Sequence, residues 1–356
     1  MNRKVASAPG NASKRVSRWF RRTRQSLLWL GSLGLLACSG AAVQSHTSEQ
    51  LDRDSEIAPF VTEMVSRHGF ERASLERTLA TVRVRPEVLE AIARPAESLD
   101  WYQYHPIFLT ETRISKGEAF WRVHEETLSR ASREYGVSPE IIVAIIGVET
   151  LYGTRRGRHL VLDSLATLAF RYPKRSKFFR SELEQFLVLA RQENFDVGQI
   201  KGSYAGAMGI PQFISSSYRR YAVDFDGDGI RDLMNNPVDA IGSVANYLKV
   251  HGWRPGEAIA LPASVTGSEY KALVKKGLKP HTPVSDMHNF GVVVLYASGN
   301  DSRGALIELT NKEDMEHWVG LQNFYAITRY NHSSLYAMAV FQLGRAIGKR
   351  YHGVEG

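Results

Sequence analysis

The 356-residue sequence predicts a mainly α protein of the α+β type, with a helical core, an additional helical region and a small β-containing domain. Three observations carry this prediction. Apolar residues recur at helical spacing over most of the stretch between residue 57 and about residue 250. Between about 254 and 320 the texture changes to segments punctuated by Pro and Gly, with β-like apolar runs at 292–296 and 305–309. Helical spacing then returns from about 333 to 350, so the last segment is expected to pack back on the helical core.

In chain order the helical spacing falls at 57–68, 75–80, 88–93, 117–135, 138–150, 164–170, 176–192 and 238–251. Two of these helices open on recognisable start signals. Ser138-Pro139 places a capping hydroxyl before a first-turn proline, and Asn236-Pro237 does the same with an amide. The 43% hydrophobic and 10% aromatic content is enough for a large core in about two or three structural units. No internal repeat is visible.

The formal net charge of +8 would point to nucleic acid if it were spread over the fold. It is not. Residues 1–37 hold Arg3, Lys4, Lys14, Arg15, Arg18, Arg21, Arg22 and Arg24 and no acidic residue, which leaves 37 basic against 37 acidic residues in the remainder. No nucleic-acid partner is expected. The basic segment followed by the uncharged run 27–37 has the layout of a secretory signal, and the run is shorter than the ~20 residues of a membrane-spanning helix.

Leu35-Leu36-Ala37-Cys38 resembles the lipobox of bacterial lipoproteins, in which the cysteine becomes the lipidated first residue. Ser39, instead of Asp, follows it, which in enteric-type lipoproteins implies the periplasmic face of the outer membrane. A signal peptide cut elsewhere would leave Cys38 incidental; as the only cysteine it has no disulfide to make. The expected organisation is a signal peptide (1–37), a lipid-anchored flexible tether (38–55), a helical domain (56–116), the helical core (117–253), the β-containing domain (254–320) and a C-terminal segment completing the core (321–356).

Residues 141–148 are apolar on every face and predict a buried helix that ends in a carboxylate, Glu149. Burial raises the pKa of a carboxyl and lets it hold a proton near neutrality, the property a general acid in glycoside cleavage needs. The same residue could equally be a buried Glu neutralised by an arginine or bonded to the turn at Tyr152-Gly153. Small residues dominate the loop 201–213, where they could let the backbone approach a ligand or merely turn a corner between helices. That loop lacks a phosphate-binding pattern, and its neutral Ser203 and Gln212 suit sugars.

Asp224-Phe225-Asp226-Gly227-Asp228-Gly229-Ile230 matches the first half of an EF-hand loop, with Asn235 where a bidentate Glu would close it. Asp239 could supply that oxygen or stabilise the first turn of the next helix. A structural calcium ion held by Asp224, Asp226, Asp228, the Ile230 carbonyl and Asp239 is expected, with a solvated acidic turn as the alternative and no cofactor for catalysis. Trp101, Tyr102, Tyr104, Tyr247, Tyr330, Asn331 and Tyr336 could line a sugar groove or belong to the core.

Read together, the blocks 146–150, 171–175, 201–209, 239–247 and 330–333 resemble the membrane-bound lytic murein transglycosylase B family, over about residues 57–349. The resemblance implies a lysozyme-like helical core with a deep groove, a further helical region, a small β-containing domain and one calcium in an EF-hand-like loop. It places the catalytic carboxylate on Glu149 and groove positions on Tyr104, Ser203, Gln212, Tyr247, Tyr330, Asn331 and Tyr336. A basic pair near the peptide-bearing sugars falls on Lys174 and Arg175. Ser215 departs from the family's usual Pro, and Lys174 from its usual Arg, which weakens bidentate recognition there.

The activity implied is non-hydrolytic cleavage of the β-1,4 bond between N-acetylmuramic acid and N-acetylglucosamine in peptidoglycan, giving 1,6-anhydromuramoyl products. Glu149 would act first as acid and then as base. Expected partners are glycan strands, the membrane through the N-terminal lipid, and other cell-wall enzymes, with the protein itself a monomer. The competing readings are a hydrolytic muramidase and a catalytically silent wall-binding lipoprotein. A calcium sensor is disfavoured, because the acidic loop has no paired partner.

Overall fold

The computed structural model describes residues 50–93, 99–295 and 302–354; the leader, Cys38, most of the tether and Tyr296 lie outside them. A single helical turn, Arg53–Ile57, leads into α1 (Ala58–His68), α2 (Arg72–Ala80) and α3 (Pro86–Ile92). Then come α4 (Trp101–Phe108), α5 (Glu111–Val123), α6 (Glu125–Tyr135) and α7 (Pro139–Thr150). A helical hairpin of α8 (Val161–Arg171) and α9 (Ser176–Gln192) is framed by β1 (His159–Leu160) and β2 (Lys201–Gly202), which pair antiparallel. The short helix α10 (Ser215–Tyr221) and α11 (Pro237–Val250) complete this part of the helical body.

The following segment holds β3 (Ala260–Val265), α12 (Lys271–Val274), β4 (Thr282–Pro283), β5 (Val292–Val294), β6 (Arg303–Thr310) and β7 (Met315–Gly320). Its strands form an antiparallel sheet in the order β4-β6-β7-β3-β5. The period of two decides what each face buries. Ile307, Leu309 and Trp318 join the main core, whereas Leu306 and Val319 pack with Leu273, Met287 and Val292 in a second, smaller core. The chain then re-enters the helical body as α13 (Gln322–Thr328) and α14 (Ser334–Tyr351), and α14 packs on α4, α5, α7 and α13.

At the centre lies α7, where every residue from Ile141 to Val148 is buried. Helices surround it on several sides, which is why it carries no polar face. Around it, α1 reaches α8 and α9 through an edge-to-face pair of Phe60 and Phe170 and through His68 and Arg67, which both bond Glu184. The buried Asp163 of α8 pairs with Arg85 just before α3.

The structure departs from the expected elements in instructive places. The expected helix 117–135 is two helices that break at His124 and begin earlier, at Glu111, where the Thr110 side chain accepts from the Arg113 amide. The apolar period runs through the break because α5 packs on α14 and α7 while α6 packs on α11. The expected division after residue 116 therefore falls inside α5. Asn236 caps α11 as expected by accepting from Val238, but the Ser138 hydroxyl makes no capping bond to α7. Helices α4, α10 and α13 were not expected: α4 contains Pro106, although the capping box of Asp100 and Gln103 was a readable start signal, and α10 reads Ser-Ser-Ser-Tyr-Arg-Arg-Tyr with no apolar stripe.

Glycines in the helical body are set by what touches them. A Cβ on Gly147 would lie 2.5 Å from the Tyr152 hydroxyl, whereas one on Gly348 would meet nothing nearer than 3.6 Å. Replacing a helical Gly by Ala gains up to ~1 kcal/mol of propensity, but overpacking costs about 1–3 kcal/mol. Gly348→Ala should raise stability in urea unfolding and Gly147→Ala should lower it; a stabilised Gly147→Ala would show that the Tyr152 ring is free to move.

Candidate active site

Glu149 stands at the end of α7, one residue before the helix terminates in a left-handed turn. Leu151, Tyr152 and Gly153 have φ of 50, 60 and 80°, and two of these three are not glycine. Such backbone costs on the order of 1–3 kcal/mol per non-glycine residue, so the surroundings must hold it. They do so by two buried contacts. The Tyr152 hydroxyl donates to the Arg113 carbonyl at 2.8 Å, with its ring lodged against Gly117 and Gly147. The fully buried Thr150 hydroxyl donates to the Ile210 carbonyl at 2.8 Å and accepts from the Gly153 amide at 2.9 Å.

Thr150 thereby ties Glu149 to the loop 201–213. Within that loop Ser203 Oγ accepts from the Ala205 and Ala207 amides at 3.3 and 3.0 Å, and Gln212 Nε2 donates to the Gly209 and Arg156 carbonyls at 2.8 and 3.2 Å. Of the two readings the spacing left open, the glycines here serve chain packing. A Cβ at Gly202 would lie 2.2 Å from the Ala207 carbonyl oxygen, and one at Gly209 2.4 Å from that of Leu233. Both polar side chains nonetheless face the cleft, leaving the Ser203 proton and the Gln212 carbonyl oxygen to a ligand.

The cleft has a volume of about 940 Å³ and is lined by Glu149, Arg175, Ser203, Gln212, Tyr247, Tyr330 and Asn331 from the expected set. Three expected groove residues do not line it. Tyr336 is buried behind the carboxylate and donates to Glu149 Oε1 at 2.6 Å; Tyr104 is buried beside Tyr336; Lys174 is exposed on the turn before α9. Burial, and then the nearby Glu149 charge, pushes the Tyr336 and Tyr330 hydroxyls well above the usual phenol range, so both stay protonated donors.

The aromatic wall is held by its own polar tips. Tyr247 donates to the Arg329 carbonyl and Tyr330 to the Pro211 carbonyl, while the rings of Phe213, Tyr247 and Tyr330 lie 4.8 to 5.7 Å apart. His251 stacks on Tyr247 at 4.0 Å. Phe178, Arg220, Tyr221, His251, Arg329 and His332 also line the cleft and were not anticipated. The spacing of Tyr247 and His251, one helical turn apart on α11, was the available signal for one of them.

Below the loop, Asp224, Asp226 and Asp239 offer oxygens that all lie within 4.8 Å of one another. Asp239 is fully buried and accepts from the Phe225 and Asp232 amides, which joins the two ends of the acidic turn. Asp228 stands outside that group of carboxylates, and Asn235 faces Arg156 and Asp232. The exit of the turn reaches the active site directly, because Ile210 donates its amide to the Leu233 carbonyl at 2.8 Å.

Burial first, and then Arg329, Arg220 and His332, hold the His251 imidazole below its ordinary 6.5, against the Tyr247 carbonyl, which raises it. A histidine depressed in the folded state stabilises above its unfolded pKa and loses that contribution as pH falls through it. Melting temperature should therefore fall as pH drops below 6.5, and His251→Gln should flatten that fall. An unchanged slope in the variant would contradict the assignment.

Residues 52–345 match the family described as Transglycosylase SLT domain. The chain is 43% identical over 298 residues to membrane-bound lytic murein transglycosylase B of Escherichia coli strain K12, covering 81% of each protein. Among solved structures, the Escherichia coli lytic transglycosylase Slt35 in complex with calcium superposes with a TM-score of 0.77 at 42% identity, covering 86% of this chain and 97% of that one. SltB3 of Pseudomonas aeruginosa, in complex with NAG-anhNAM-pentapeptide, gives a TM-score of 0.72 at 32% identity over 81% of this chain and 77% of that one. With its mainly helical, lysozyme-like fold and its cleft around Glu149, the chain belongs to the transglycosylase SLT domain family and is a lytic transglycosylase of peptidoglycan.

Proposed function

We propose that Glu149 is the sole acid and base of a non-hydrolytic cleavage of the bond between N-acetylmuramic acid and N-acetylglucosamine. One observation carries this reading: among the described residues lining the cleft, Glu149 is the only acid. A retaining hydrolase needs a second carboxylate about 5 Å away, and an inverting one needs it at roughly 6.5–9.5 Å. Here one group has to serve twice. Protonated Glu149 donates to the linking oxygen as its bond to C1 breaks, and the N-acetylglucosamine end leaves as an alcohol. The carboxylate then takes the proton of the muramoyl 6-hydroxyl as that oxygen bonds C1. No water is consumed, and Glu149 returns to its protonated form. The anhNAM sugar bound to SltB3 supports a product of this type.

Tyr336 orients Glu149 through its hydroxyl, and the rings of Tyr247 and Tyr330 form the wall against which sugar faces rest. Ser203, Gln212 and Asn331 would supply neutral hydrogen bonds, and the family resemblance suggests Arg175, with the neighbouring Lys174, for the peptide-bearing side. The acidic turn suits a structural calcium ion, since hard oxygen donors match a hard cation. Asp224, Asp226 and Asp239 would hold it, with Asp228 and the Ile230 carbonyl as further ligands. When bound it would tie the turn that supports Ile210 and supply no step of the chemistry.

No helix among the described residues is long and apolar enough to cross a membrane. The lipobox-like segment ending at Cys38 supports attachment by lipid to the periplasmic face of the outer membrane, in keeping with the "membrane-bound" relative.

Mass spectrometry of digested peptidoglycan should show 1,6-anhydromuramoyl ends, and reducing ends alone would replace this mechanism with hydrolysis. Glu149→Gln should abolish release. Tyr336→Phe, losing one hydrogen bond to a charged group worth about 1.5–3 kcal/mol, should lower kcat roughly 10- to 100-fold with little change in KM. Calcium at about 100 times its Kd should stabilise the fold by ~2.7 kcal/mol in thermal melts, and chelation should reverse this without changing the products. Turnover that switches on only with calcium would contradict a purely structural role.

A further inference from the structure

Glu182 is a buried carboxylate with no place in the chemistry of the cleft. It lies on α9, is only 4% exposed and does not line the cleft. Burying a carboxylate is costly unless its oxygens are bonded. Both are: Oε2 accepts from the Ser216 amide at 2.9 Å and Oε1 from the Ser216 hydroxyl at 2.7 Å. Burial raises the carboxyl above its ordinary value, and the Ser216 hydroxyl and the Ser216 and Ser215 amides act against that.

These contacts all fall on the start of α10, where no other side-chain bond is present among the described residues. Ile214, the residue before the helix, makes no capping bond, and the buried Ser215 hydroxyl has no partner. A proline at this first helical position would pre-set the backbone; serine does not. The first amides of a helix have no partner within it. Glu182 therefore supplies from a neighbouring helix what the chain does not supply locally, and with the charge that a helix start favours. The far end of α10 is secured separately: the Tyr218 hydroxyl bonds Leu233 and Arg231, and Asn246 donates to the Tyr221 carbonyl.

The placement of α10 matters because the helix is one wall of the cleft. Ser216, Ser217 and Tyr221 line it, and the Tyr221 ring meets that of Tyr247 at 4.8 Å. Glu184, two residues further along α9 and 6% exposed, turns the other way and pairs with Arg67 and His68 of α1. It shares the burial of Glu182 and not its direction.

We infer that Glu182 is a positioning residue of the glycan site: by fixing the start of α10 it holds Ser216 and Ser217 against the substrate, and so sets affinity without taking part in the chemistry. The inference rests on the cleft being the glycan site and adds to it a residue behind the wall, out of reach of the sugar.

The test compares Glu182→Gln, Glu182→Ala and Glu184→Ala, each in the otherwise unaltered chain, on a NAG-NAM tetrasaccharide. Loss of the bonds to the charged group in Glu182→Ala should raise KM about tenfold with kcat within about twofold, the pattern of binding lost equally from ground and transition states. Glu182→Gln keeps the shape and one acceptor oxygen and should raise KM about threefold. Glu184→Ala should lower the melting temperature and leave KM unchanged, because it loosens α9 from α1 and not from α10. An unchanged KM in both Glu182 variants, or a loss confined to kcat, overturns the inference. So does an equal rise of KM in Glu184→Ala, which would mark a general loosening of the fold. If Glu182→Ala does not fold, Glu182→Gln against Glu184→Ala decides the question by the same readouts. Reducing ends in place of anhydro products would overturn the single-residue mechanism of Glu149, while the KM series still decides the role of Glu182.

Discussion

The fully buried hydroxyl of Thr150 holds the active site together. It bridges the Ile210 carbonyl and the Gly153 amide, and so joins two adjacent features to a third some 60 residues further along the chain. These are the end of the helix that carries Glu149, the left-handed turn that follows it and the loop that carries Ser203 and Gln212. A buried carbonyl or amide deprived of such a partner costs about 1–3 kcal/mol, which is comparable with the backbone strain the turn stores. The clamp continues outward, because Ile210 also bonds Leu233 at the exit of the acidic turn. The acidic turn can therefore support Glu149 without touching it.

The cleft divides its polar groups between holding the wall and meeting the substrate. Tyr247 and Tyr330 give their hydroxyls to backbone carbonyls and present ring faces. Tyr336 does the reverse, with its ring buried and its hydroxyl on Glu149.

Much of the helical fold was legible because amphipathic and fully apolar periodicities are local properties. The expected range 176–192 coincides with α9, and the wholly apolar 141–148 is the central helix. Short elements escaped. Helix α10 has no stripe of its own and is held by Glu182, a buried side chain of α9 that accepts from the Ser216 amide and hydroxyl. The break at His124 was invisible because both halves keep the same period and both pack on α7, and only their further partners, α14 and α11, differ.

The amino-acid sequence by itself determined which residues are chemically equipped. It placed a carboxylate at the end of a buried helix, neutral groups in a glycine-rich loop, acidic oxygens at EF-hand spacing, and a single cysteine after a basic and then an uncharged run. Tertiary structure alone decided which of these meet. It put Tyr336 and Tyr104 behind Glu149 instead of in the groove, left Lys174 outside the cleft lining, and gathered Arg175, Arg220 and Arg329 from three elements. The physical reason is range: periodicity and turn chemistry act over a few residues, whereas a side chain's neighbours across a cleft are set by how distant helices pack.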